Sequence, residues 1–188
     1  MAQDAESWKD LALKEVGRTV VNLQRLEHNL KLAARLGPLE GVLPKIQRDI
    51  EKRVERASTF TLGQAIQAWL VAAHSEPTEI GGTQDLFDGS MQITISLVPD
   101  VAVRSAHGAA LKSLLEARNS LIHGGMANVC WDSPEECKKL IADLDLLNGE
   151  ITRQTGFIGS ILNAFSALKN LRPEDITAAI EEQLPLGD

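Results

Sequence analysis

Apolar residues recur every three or four positions from about Ala5 to Leu36, where Trp8, Ala12, Val16, Val20, Leu23, Leu26, Leu30 and Ala33 share one face and Lys, Arg and Glu fill the gaps. That period marks an amphipathic helix with one buried stripe. Gly37-Pro38 ends it, because proline has no N–H to donate and its ring clashes with the preceding turn. Leu39, Val42, Leu43, Ile46, Ile50 and Val54 then predict a second helix to about Ser58, with Pro44 in or near its first turns. Thr61 or Thr59 caps a third helix through about Ala73 that buries Leu62, Ile66, Trp69 and Leu70. Trp69 belongs to the core, where its indole N–H needs a partner.

Between Pro77 and Pro99 the period changes to two, with Met91-Gln92-Ile93-Thr94-Ile95-Ser96-Leu97 alternating apolar and polar after the turn signals Gly81-Gly82 and Asp88-Gly89-Ser90. A strand there needs a partner, either Ile80 to Phe87 in a small hairpin or a second subunit. A fourth helix runs from Pro99 through Val101, Val103, Leu111 and Leu115 to His123. Ser133-Pro134-Glu135-Glu136 reads as an N-cap, a first-turn proline and an acidic start. The long helix behind it carries Leu140, Leu144, Leu147, Ile151, Ile158, Ile161, Leu162, Phe165 and Leu168 to about Asn170, with Gly149 or Gly156 as the place for a kink. A short last helix starts at Pro173 and ends before Pro185. The expected fold is all-α: one domain over residues 1–188, an up-and-down bundle of four to five main helices with a small β insertion at 78–98.

The fourth helix ends in Glu116-Ala117-Arg118-Asn119-Ser120-Leu121-Ile122-His123-Gly124-Gly125. Helix geometry puts Leu111, Leu115, position 118 and Ile122 on one stripe facing the core, so Arg118 occupies a place normally apolar. A guanidinium there must face a carboxylate, a ligand cleft or a subunit interface. Asn119 and His123 are i and i+4 on one edge, and Arg118 is long enough to reach toward them. Histidine titrates near neutral pH, which suits proton transfer. Gly124 and Gly125 are expected to supply the left-handed position that ends a helix. His107 lies nearly on the opposite side of that helix and cannot share a site with His123.

Arg118, Asn119 directly after it, and His123 four residues further on resemble the R-x4-H signature of the HEPN helical domain family. The resemblance covers about residues 111–125, with the rest of the chain agreeing in helical class. It implies a metal-independent endoribonuclease, a toxin or defence effector, with Arg118, Asn119 and His123 as catalytic residues. It also implies a homodimer in which two copies of the motif face one cleft. RNA and an antitoxin or other regulatory protein are then the expected partners. The subgroup paired with an adenylating nucleotidyltransferase carries Tyr two residues after the His; here Gly125 stands there and the chain has no Tyr, which argues against that form of antitoxin control. The competing expectation is a catalytically silent helical interaction or nucleotide-sensing module, with Arg118 paired to a carboxylate such as Glu27 and His123 merely capping its helix. No Gly-rich phosphate loop supports the nucleotide version.

Composition narrows this picture. Aromatic residues make up only 4% of the 188 residues, as Leu-rich helix packing would have it. A net charge of −7 removes any global attraction to nucleic acid, so an RNA site must be local. The densest basic cluster is Lys45, Arg48, Lys52, Arg53 and Arg56 on the second helix. Interleaved with Asp49, Glu51 and Glu55 it reads first as a solvated face, and in its sharper form, through Arg48, Lys52 and Arg56, as a phosphate track for substrate. Cys130 and Cys137 lack metal-ligand spacing and are expected to be reduced structural thiols, and neither a metal nor a cofactor is expected. With no signal peptide and no apolar run of about 20 residues, the chain is expected to be cytoplasmic, with no membrane partner.

Overall fold

The structure, a computed structural model, describes residues 2–36, 39–74, 90–93 and 100–169. Five helices make an all-α bundle: α1 (Ala2–Ala33), α2 (Leu43–Ser58), α3 (Leu62–His74), α4 (Val101–Ser120) and α5 (Pro134–Lys169). The long helices start where the sequence supplies acceptors for their orphan N–H groups. Thr61 and Gln64 form a reciprocal box at the start of α3, with bonds of 2.9 and 3.4 Å. The Asp100 carboxylate accepts from the Ala102 and Val103 N–H groups at 2.7 and 3.2 Å, and Ser133 Oγ accepts from the Glu136 N–H at 3.3 Å. Helix α5 continues unbroken through Gly149 and Gly156.

Contacts along the helices give their directions. The Lys138 ammonium sits over the Trp8 ring, 4.8 Å from its centroid, Arg18 meets Asp145 at 3.7 Å, and Asn22 bonds to Asn148 at 2.9 Å. Residue numbers rise together, so α1 and α5 run parallel. Leu121 packs with Leu144 while His107 meets Gln154, so α4 runs against α5. Gly63 lies against Leu115 and Trp69 against His107, so α3 also runs against α4. Helices α1, α3 and α5 thus run one way and α4 the other, in an all-α bundle as expected.

The main core joins Leu23, Leu26 and Leu30 of α1, Ile66 and Trp69 of α3, Leu111 and Leu114 of α4, and Ile151 and Ile158 of α5. A smaller cluster at the far end of α4 gathers Val16, Leu121 and Leu144 around Met126. Between α1 and α5 the buried polar residues form a ladder: Asn148 donates to Thr19 Oγ1 at 2.8 Å, and Thr19 donates to the Glu15 carbonyl at 2.8 Å. Each buried polar atom left without its partner would cost about 1–3 kcal/mol, so the ladder holds the two helices in one register. The face of α1 is thus shifted from the expected one, with Thr19 fully buried beside a half-buried Val20.

The second helix departs from expectation. Leu39–Val42 is a strand, β1, paired antiparallel with Ser90–Ile93, β2, with Leu39 opposite Ile93 and Val42 opposite Ser90. Pro44 explains why α2 begins only at Leu43: a proline is tolerated in a first turn, but its missing N–H would break a helix extending upstream. The period-two stretch therefore finds its partner upstream rather than in a local hairpin. The expected strand over Ile80–Phe87, the remainder of the Met91–Leu97 strand and the last helix from Pro173 lie outside the described residues.

A second chain of buried polar groups links α3, α4 and α5. The Trp69 indole N–H donates to His107 Nε2 at 2.8 Å, which places the imidazole proton on Nδ1, facing Gln154 Oε1. Gln154 donates to Glu150 at 2.7 Å, and Arg153 grips both oxygens of the same carboxylate at 2.7 and 3.0 Å. Chiefly through the Arg153 hydrogen bonds, the Glu150 carboxyl is held below the usual carboxylate range, against the opposing effect of burial. A carboxyl depressed in the folded state contributes stability above its unfolded value, and that contribution disappears as pH falls through the folded value. Glu150→Gln should therefore cost stability at neutral pH and flatten the acid limb of the melting temperature against pH below about 4.5. An acid limb as steep as the wild type's would remove Glu150 from that account.

Candidate functional site

The end of α4 is built differently from a simple capped helix. After Ser120 the backbone widens into a π turn, Leu121–Gly125, closed by the Met126 N–H reaching the Leu121 carbonyl at 3.4 Å. In a regular helix, residues five apart point to different faces. Here Leu121 is 7% exposed and both it and Met126 pack into the smaller cluster with Val16 and Leu144. The extra residue in the turn allows both ends of the segment to face the core. The i→i+5 hydrogen-bonded turn that results is rare, and such turns are frequent at functional sites. The residues just after Leu121 fall off the buried stripe: Ile122 is 41% exposed and His123 is exposed.

The glycines play another part than expected. Neither Gly124 nor Gly125 takes left-handed backbone, and Met126 beyond them is still right-handed helical, with φ −73° and ψ −30°. What Gly125 provides is room, since a Cβ there would stand 3.1 Å from the Ser120 carbonyl oxygen across the widened turn.

The buried stripe on α4 runs through His107, Leu111 and Leu114 to Leu121, with Leu115 half-buried. This corrects the expected stripe, which ran through Leu115 and Ile122. Arg118 lies on the observed stripe between Leu114 and Leu121 and is half-buried. Its Nη1 donates to Asn119 Oδ1 at 2.9 Å. No carboxylate among the described residues pairs with it, and Glu27 instead holds Lys31 at 2.8 Å. Asn119 is exposed, and with its oxygen engaged by the guanidinium its amide group remains to donate. His123 makes no hydrogen bond to either residue within the described structure.

Among the expected site residues, Arg118 and Asn119 are therefore joined directly, His123 stands one turn on at the same helix end, and Arg48, Lys52 and Arg56 lie apart on α2, all three exposed. His107 is buried among Trp69, Gln154 and Phe157, away from this end. Cys130 is exposed, Cys137 is buried with its Sγ 3.6 Å from the Trp131 carbonyl, and both thiols are free. No family model, curated protein or solved structure matches this chain. No helix among the described residues is long and apolar enough to cross a membrane. The π turn was missed in the sequence, although Leu121 and Met126, two apolar residues five apart beside a Gly-Gly pair, are a signal for it.

Proposed function

We propose that the chain is a metal-independent endoribonuclease that cleaves RNA at the Arg118, Asn119 and His123 end of α4, as the HEPN-like motif implies. The observation that carries this reading is an arginine on a core stripe with no carboxylate partner among the described residues, bonded to Asn119, with an exposed histidine one turn on inside a π turn. In the reaction the ribose 2′-oxygen attacks the adjacent phosphorus, the bond to the 5′-oxygen breaks, and a 2′,3′-cyclic phosphate and a 5′-hydroxyl result. The proton leaving the 2′-hydroxyl must be accepted and one must reach the departing 5′-oxygen, which is the work of His123. Arg118 faces the charge growing on the non-bridging oxygens with a planar fork that stays charged. Asn119 orients the guanidinium and offers its amide to a phosphate oxygen.

One histidine cannot easily serve both sides of the phosphorus, so the reading includes a homodimer in which two copies of the motif share a cleft. The toxin or defence role, a cytoplasmic setting and control by a partner protein follow from the same reading. Purified protein should cleave single-stranded RNA in excess EDTA, leaving cyclic or 3′-phosphate ends, and should scatter light as a dimer. Activity that EDTA abolishes and Mg²⁺ restores, or a monomer that cleaves at full rate, would overturn the mechanism.

A further inference from the structure

Helix α2 is loosely held by the bundle. Of its residues from Arg48 to Ser58 only Ala57 is buried, while Ile50 and Val54 remain 40% and 39% exposed. Along its outer side Arg48, Lys52 and Arg56 follow one another at four-residue intervals, which the helical rise places about 6 Å apart in a row. Like charges at i and i+4 work against a helix by about 0.2–0.5 kcal/mol per pair, and this row contains two such pairs in succession. A solvated face would ordinarily relieve them with ion pairs. Glu51 and Glu55 stand three residues after Arg48 and Lys52, yet none of the three cations forms an ion pair among the described residues. The arrangement is one that a line of anions would relieve.

The row is also linked to the motif helix. Helix α2 ends at Ser58 and α3 starts at Leu62, where Gly63 abuts the Leu115 side chain, its Cβ position 3.4 Å from Leu115 Cδ2. Leu115 is one helical turn from Arg118. Arg56 is thus joined through the short 59–61 connection to the start of α3, the part of the bundle that meets α4 one turn before Arg118.

We propose that Arg48, Lys52 and Arg56 form a track for the sugar-phosphate backbone of single-stranded RNA, delivering the strand to the Arg118 end of the bundle. The choice of RNA rests on the ribonuclease reading. The spacing and the unpaired charges stand apart from it. Because the chain is acidic as a whole, attraction must be local, and binding through this row should be salt-dependent in proportion to the few phosphates it neutralises.

The test uses the full chain and a fluorescently labelled 2′-O-methyl oligonucleotide, which lacks the attacking hydroxyl and cannot be cleaved, titrated at several salt concentrations. The triple variant Arg48→Gln, Lys52→Gln, Arg56→Gln should bind at least about tenfold more weakly at low salt. Its log–log salt slope should be shallower by roughly 2, three cations at about 0.7 each. A control removing three exposed lysines elsewhere, Lys14→Gln, Lys112→Gln and Lys139→Gln, should stay within about twofold of the wild type. Equal losses in the two variants, no loss in the first, or no binding by the wild type would each overturn the track. If the wild type binds through this row but leaves an all-ribose strand intact, the track is supported and the ribonuclease reading alone fails.

Discussion

His123→Ala is expected to slow RNA cleavage by about 10²–10⁴-fold, the usual worth of a positioned proton-transfer group, and Arg118→Ala by about 10²–10³-fold, as when a donor facing developing charge is removed. Both variants should nevertheless fold and melt close to the wild type. His123 is exposed and makes no hydrogen bond within the described structure, so its loss should fall within about 0.5 kcal/mol. Arg118 gives up only its bond to an exposed neighbour, Asn119. If Arg118 instead held a buried carboxylate, its removal would cost about 3–5 kcal/mol, and a steep drop in the melting temperature would point to a scaffold role. Cleavage assays read beside thermal melts thus separate the two, and an Arg118→Ala protein that is stable and fully active would end the proposal outright.

The largest loss of stability is expected at Trp69, far from this site. It is the largest fully buried side chain, packs in the middle of α3 against the main core, and is the donor to His107. Trp69→Ala should cost about 3–5 kcal/mol through lost burial and the cavity left behind, lowering the melting temperature by roughly 6–20 °C for a chain of this size. Trp69→Phe keeps most of the volume and removes only the N–H, stranding His107 Nε2 at about 1–3 kcal/mol. Adding His107→Leu should not recover that loss, because the buried Gln154 Oε1 then loses the Nδ1–H that faces it. A Trp69→Phe protein indistinguishable from the wild type would show that the bond contributes nothing net. Since this network lies away from the end of α4, cleavage by the folded fraction should be unchanged in all three proteins.

Most helices were legible from periodicity because each has a single apolar face to bury, and their starts were legible because Thr61 and Ser133 carry the caps themselves. What periodicity could not convey was tertiary choice. Leu39 and Val42 fit a helical stripe as well as a strand, and only the restriction at Pro44 and the pairing with Ser90–Ile93 decide for the strand. Thr19 replaces Val20 in the α1 interface because Asn148 on α5 supplies its partner, a residue 129 positions away. At the motif, the order of Arg118, Asn119 and His123 was visible, but the π turn that holds His123 and returns Met126 to the core side was not. From Leu111 a helical stripe can be continued through Leu115 and Ile122 or through Leu114 and Leu121 with equal regularity, and the packing of Leu114 and Leu121 in the two core clusters selects the second.

The parallel pairing of α1 with α5 has a consequence for synthesis. The polar ladder that fixes their register joins Thr19 and Asn22 to Asn148, across 129 and 126 positions. At 5–20 residues per second, a ribosome needs roughly 6–25 s to make that span. During this interval Leu23, Leu26 and Leu30 cannot yet be covered by Ile151 and Ile158, although α3 can begin to shield them sooner. Closure of the bundle is consequently a late, long-range event with a large loop entropy to overcome. The nascent α1 is the stretch on which a chaperone would act.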